Sequence, residues 1–130
     1  MRFPAFPSGG RAAFALIGAL AAAACQPIPN GGGVVCTAQF VYGISATVSD
    51  AATGANITPG SYLVVREGSY VDSASAMGEF LSAAGERAGT YFVTIGRPGY
   101  SSFTQTNVVV NRDECHVIPV RLEARLLRNP

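Results

Sequence analysis

His116 and the three cysteines, Cys25, Cys36 and Cys115, are the side chains of this chain best suited to chemistry. Imidazole and thiolate groups serve as bases, nucleophiles and metal ligands. Their spacing works against each use. Zinc needs paired C-x-x-C spacing or several histidines, and His116 is the only histidine, with Cys115 its only near thiol. A catalytic His116 needs a nucleophile at one ring nitrogen and an orienting acid at the other. Asp113 and Glu114 are the nearest acids, and on an extended chain they project to different sides. His116 is therefore expected at the surface beside a disulfide. Asp50, Asp72, Asp113 and Glu114 are scattered and make no D-x-D-x-D loop, so they are expected to serve turns and solubility, not calcium. No catalytic residue, metal ligand or cofactor is predicted, and the chain is not expected to be an enzyme.

The fate of the cysteines depends on compartment, and the N-terminus speaks to that. Arg2 and Arg11 form a basic start, followed by an uncharged apolar run over residues 12–24 that ends in small residues. The run is too short to cross a hydrocarbon core of about 30 Å, so residues 1–24 are expected to be a secretory signal peptide. Ala22-Ala23-Ala24-Cys25 resembles the lipobox of bacterial lipoproteins, with Ala22 where that pattern favours Leu. The resemblance implies cleavage before Cys25 and a diacylglycerol on its thiol, hence attachment to a membrane. Gln26 after that cysteine, in place of Asp, points to the outer membrane under the Gram-negative sorting rule. Ordinary cleavage at an A-x-A site is the alternative and would leave a soluble protein in the periplasm or outside the cell. Residues 25–35 are rich in Pro and Gly and read as a flexible tether. A stretch of about eight such residues reaches roughly 25–30 Å when extended.

With Cys25 lipidated, Cys36 and Cys115 remain as a pair, expected to open the first and last strands of one domain. An exported protein meets oxidising conditions, which favours a Cys36–Cys115 disulfide over two buried thiols. Closing a loop of about 80 residues stabilises by roughly 4 kcal/mol in the chain-entropy model.

Those strands come from the rest of the pattern. The chain is 48% hydrophobic but only 13% charged, with 15 Gly and 8 Pro, a composition suited to short strands and many turns. All of its basic residues are Arg, and without Arg2 and Arg11 the acids outnumber them by one, which leaves no electrostatic footprint for nucleic acid. The clearest element is residues 88–100. Tyr91, Val93 and Ile95 alternate onto one face. Arg97-Pro98-Gly99-Tyr100 then fits a type II turn, because Gly99 can take the positive φ required at the third position. Further strands are expected over residues 40–48, 62–65, from 70, 103–111 and 116–122, with Glu67-Gly68 as a hairpin turn. Pro119 places the last at an edge or bulge. Residues 73–86 fit either a helical turn or a strand, and residues 125–130 are expected to fray. The predicted core includes Ile44, Val48, Val64, Tyr91 and Val93, together with Ile95, Val109, Ile118 and Val120.

Three pieces together resemble the carboxypeptidase regulatory-like domains: residues 44–50 followed by Thr53-Gly54, Gly89-Thr90-Tyr91 with its alternating strand, and Pro98-Gly99-Tyr100 before a strand ending in Val108-Val109-Val110. The resemblance covers most of residues 36–124 and departs from the family in the Ala- and Ser-rich middle. It implies an all-β fold, a seven-stranded or similar Greek-key β-sandwich of transthyretin-like type, acting as a non-catalytic accessory module. Hydrolases of 5-hydroxyisourate share that fold, but their several active-site histidines have no counterparts in a chain with one. The function expected is a structural or interaction role at the envelope, with a protein or glycan partner. The alternative is a soluble secreted domain that binds a small molecule or glycan through exposed aromatics, with Tyr62, Tyr70 and Tyr100 as candidates.

Overall fold

A computed structural model describes residues 33–130. The expected signal peptide, Cys25 and most of the tether lie outside the described residues. Seven strands follow one another with no helix among the described residues: β1 (Tyr42–Asp50), β2 (Tyr62–Glu67), β3 (Tyr70–Ser75), β4 (Leu81–Gly85), β5 (Gly89–Gly96), β6 (Phe103–Val110) and β7 (Val120–Leu126). They form two sheets, ordered β4-β1-β7 and β3-β2-β5-β6. β1 is antiparallel to β4 and parallel to β7, so the first and last strands are neighbours. The second sheet is antiparallel throughout. The expected seven-stranded β-sandwich is what the chain forms.

One core lies between the sheets. Ile44, Ala46 and Val48 of β1 meet Tyr91, Val93 and Ile95 of β5, all buried, as alternation demands. The Arg97–Tyr100 turn is closed by a bond of 3.1 Å from the Tyr100 N–H to the Arg97 carbonyl, with Gly99 at φ 81°, as a type II turn requires. Gly68 takes positive φ in the two-residue turn between β2 and β3. The ambiguous residues 73–86 resolve into the end of β3, a loop that is buried at Ala76 and exposed over residues 77–80, and β4.

Three predicted core residues face elsewhere, and a fourth, Val120, packs against the core only half-buried. In β2, Leu63 and Val65 are buried and Val64 is only half-buried, because Leu63 pairs with Ile95 and Val65 with Val93. The run Leu-Val-Val has no alternation, so only cross-strand register decides its inward face. In β6, Val108 and Val110 are buried and Val109 is exposed. A bulge opposite Tyr91 and Val93, with Asn107 at φ 56°, inserts one residue and reverses the phase of the strand. Ile118 is exposed and Val120 half-buried, because the last strand starts later than expected. Residues 112–118 form a loop in which the Asp113 carboxylate accepts the N–H groups of Cys115 and His116, each at 2.8 Å. Pro119 then precedes β7, an edge strand whose Leu122, Ala124 and Leu126 face the core. The segment from residue 125 continues as structure: Leu126 is buried and Arg128 pairs with Tyr100 in an isolated bridge.

Candidate functional site

The sequence singled out Cys36, Cys115 and His116, and the fold brings all three together where β1 begins. Cys36 and Cys115 form the expected disulfide, with Cα atoms 5.2 Å apart. Neither opens a strand. Cys36 precedes β1 on an exposed segment, and Cys115 lies in the 112–118 loop. An open cleft next to the bridge is lined by Val34, Arg112, Asp113, Glu114 and Cys115.

Three segments meet at His116. Its Nδ1 lies 2.9 Å from Glu86 Oε1, just after β4, and its Nε2 lies 3.1 Å from the Thr37 hydroxyl, next to Cys36. If Nδ1 donates to the carboxylate, Nε2 of the neutral ring accepts from Thr37. The same Glu86 oxygen accepts the Val41 N–H at 2.7 Å, and the Glu86 N–H donates to the Val41 carbonyl at 2.8 Å. Burial acts to raise the Glu86 carboxyl, but the Val41 N–H, the His116 ring and the Val117 N–H together hold it below its ordinary range. Asp113 is likewise lowered, by the N–H groups of His116 and Cys115.

A hydroxyl, an imidazole and a carboxylate in line have the order of a nucleophile, a base and its orienting acid. What the contacts do here is join chain segments. Glu86 spans Val41 and the 112–118 loop, and His116 spans Glu86 and Thr37. Residues 36–41 thus form a strap fixed at Cys36 by a disulfide, at Thr37 by the ring and at Val41 by two main-chain links. Phe40 lies on the strap with its ring over Gly85, where any Cβ would collide with it. Sequence reasoning found the histidine and the bridge but missed Glu86 and Thr37. Local spacing carries no signal for a carboxylate 30 residues away from its histidine.

The other candidates are dispersed. Tyr70 is half-buried, with the Arg87 guanidinium 4.0 Å above its ring. Tyr100 donates its hydroxyl to buried Asp50 at 2.9 Å. Tyr62 alone is exposed, lying over Gly96 on the outer face of the four-stranded sheet. The three tyrosines therefore form no common surface. Asp72 accepts the Ala84 N–H at 2.9 Å between β3 and β4. The four acids considered for calcium are not brought together, and the described residues contain no group of three or more His, Cys, Asp or Glu placed to hold a metal. No protein-family model matches the chain, and no curated protein matches it in sequence.

Proposed function

We propose that this chain is an exported β-sandwich module, attached to the cell envelope through lipid on Cys25, that acts by interaction and not by catalysis. The observation that carries this is the Cys36–Cys115 disulfide. Such bonds persist in oxidising compartments, and this one sits where the tether reaches the domain. Tension applied through Cys25 would enter the fold at a covalent link and bypass the hydrogen bonds of β1. The lipobox-like Ala22-Ala23-Ala24-Cys25 and the resemblance to carboxypeptidase regulatory-like domains support the same reading. The partner is an envelope protein or a glycan. Nucleic acid is disfavoured by the excess of acids over Arg beyond residue 24.

A soluble, small-molecule- or glycan-binding form is the second reading. It is favoured by Tyr62 and Phe92, both exposed on the outward face of the four-stranded sheet. Mass spectrometry of the mature N-terminus separates the two. A start at Cys25 carrying diacylglycerol, with the protein in the membrane fraction, is the expected result. A start elsewhere, or an unmodified Cys25, overturns attachment.

A further inference from the structure

We propose that the Cys36–Cys115 bridge is a thiol–disulfide exchange site whose reduction releases the strap of residues 36–41 while the sandwich stays folded. Everything from residue 33 to residue 40 is exposed and only Val41 is half-buried, so the strap keeps little apolar surface from water. Its hold on the domain is the bridge, the Thr37–His116 contact, Phe40 over Gly85 and the Val41–Glu86 links. Of the strap residues only Val41, at its end, packs against the core, and it does so half-buried; the fully buried core begins at Ile44.

The bridge is also reachable. Cys115 lines the open cleft with Arg112, Asp113 and Glu114, and the Arg112 guanidinium offsets part of the repulsion that the two carboxylates exert on an approaching thiolate. The reactant is a dithiol. One of its thiolates attacks Cys115 Sγ, the S–S bond breaks, and Cys36 departs as a thiolate and takes up a proton. The second thiolate attacks the mixed disulfide and frees Cys115, which is protonated in turn. The dithiol is oxidised to a disulfide, and two electrons pass to the bridge. Freed residues 36–41 supply at most roughly 20 Å of extended chain. With Cys25 anchored as proposed above, the domain can then reach further from the membrane, by up to that length. The gain in reach rests on the anchor; the opening of the strap does not.

The test is the amide spectrum of the full chain before and after treatment with dithiothreitol, read together with the ring signals of His116, the only imidazole present. Amides of residues 37–41 should move to random-coil positions and lose their heteronuclear NOE. The His116 ring signal should shift as Thr37 leaves, while Tyr91, Val93 and Ile95 keep their native positions. The Cys36→Ser, Cys115→Ser double variant should give the same spectrum without reductant. Strap amides that keep native positions after reduction overturn the proposal, and so does collapse of the β5 signals with them. Lipid on Cys25 with a fixed strap sinks this proposal alone. A released strap with an unmodified Cys25 sinks the anchored reading alone.

Discussion

Where β1 begins, the chain is fastened by a disulfide and by a carboxylate–imidazole pair whose side chains are 28% and 21% exposed; where β1 finishes, it is fastened by a carboxylate sealed from solvent. Asp50 is 1% exposed and accepts four bonds: from the Tyr100 hydroxyl at 2.9 Å, Arg128 Nε at 3.0 Å, and the N–H groups of Ala52 and Thr53 at 2.9 and 3.0 Å. Those donors come from the loop after β1, the turn after β5 and the residues after β7. A buried carboxylate with every oxygen occupied thus ties together three segments that already pack against the core. The strap end has less packing to exploit: only Val41 reaches the core, half-buried, and Phe40 lies over Gly85. Residues that bury little gain little from the hydrophobic effect, so a covalent bond adds to the part-buried carboxylate–imidazole contact there.

A charge placed between the two ends should abolish both. Val93 is fully buried on β5, facing Val65 across the sheet. Val93→Asp would bury an unpaired carboxylate, at a cost of several kcal/mol that is comparable to the whole stability of a small domain. Circular dichroism should show no cooperative thermal transition. Cooperative melting of this variant would mean that the inward face of β5 is assigned wrongly.

The bridge should matter less than the core but far more than any surface pair. Cys36→Ser and Cys115→Ser should each lower the unfolding free energy in urea by about 2–4 kcal/mol, since each removes the same constraint on the unfolded chain. The double variant should match either single one within about 0.5 kcal/mol, because the two sulfurs act as a unit. Additive losses would show that each cysteine stabilises independently of the bond.

This contrast also explains what could be read from residues alone. Tyr91, Val93, Ile95 and the Arg97–Tyr100 turn were legible because alternation and turn chemistry are local. The bridge was legible because cysteines are few and the N-terminal pattern implies export. Val64 and Val109 were misplaced because uniformly apolar triplets carry no phase, which here comes from pairing and from a bulge. Asp50 looked like a turn residue, and so it is, through Ala52 and Thr53. Its bonds to Tyr100 and Arg128 depend on β5, β6 and β7 being in place, as the Glu86–His116 pair depends on β4. Residues 125–130 looked like a fraying tail because Arg128 shows its purpose only beside Asp50.

Acid should separate the two ends by a smaller effect. Both carboxyls are held below their ordinary range, Asp50 far below it by Arg128 first and then by the Thr53 N–H, with Tyr100 and Ala52 adding to these against the opposing effect of burial. A carboxyl lowered by folding stabilises fully above its unfolded value, near pH 4, and loses that contribution as pH falls through the folded value. Glu86 is lowered less than Asp50, so its link to Val41 and His116 should fail first on acidification. In the oxidised chain, the Val41 amide, which donates to the Glu86 carboxylate, should shift at a pH where the Ala52 and Thr53 amides have not yet moved. Glu86→Gln should erase the first transition and leave the second unchanged. Simultaneous movement at both ends would show that the strap and the Asp50 cluster open together as one cooperative unit.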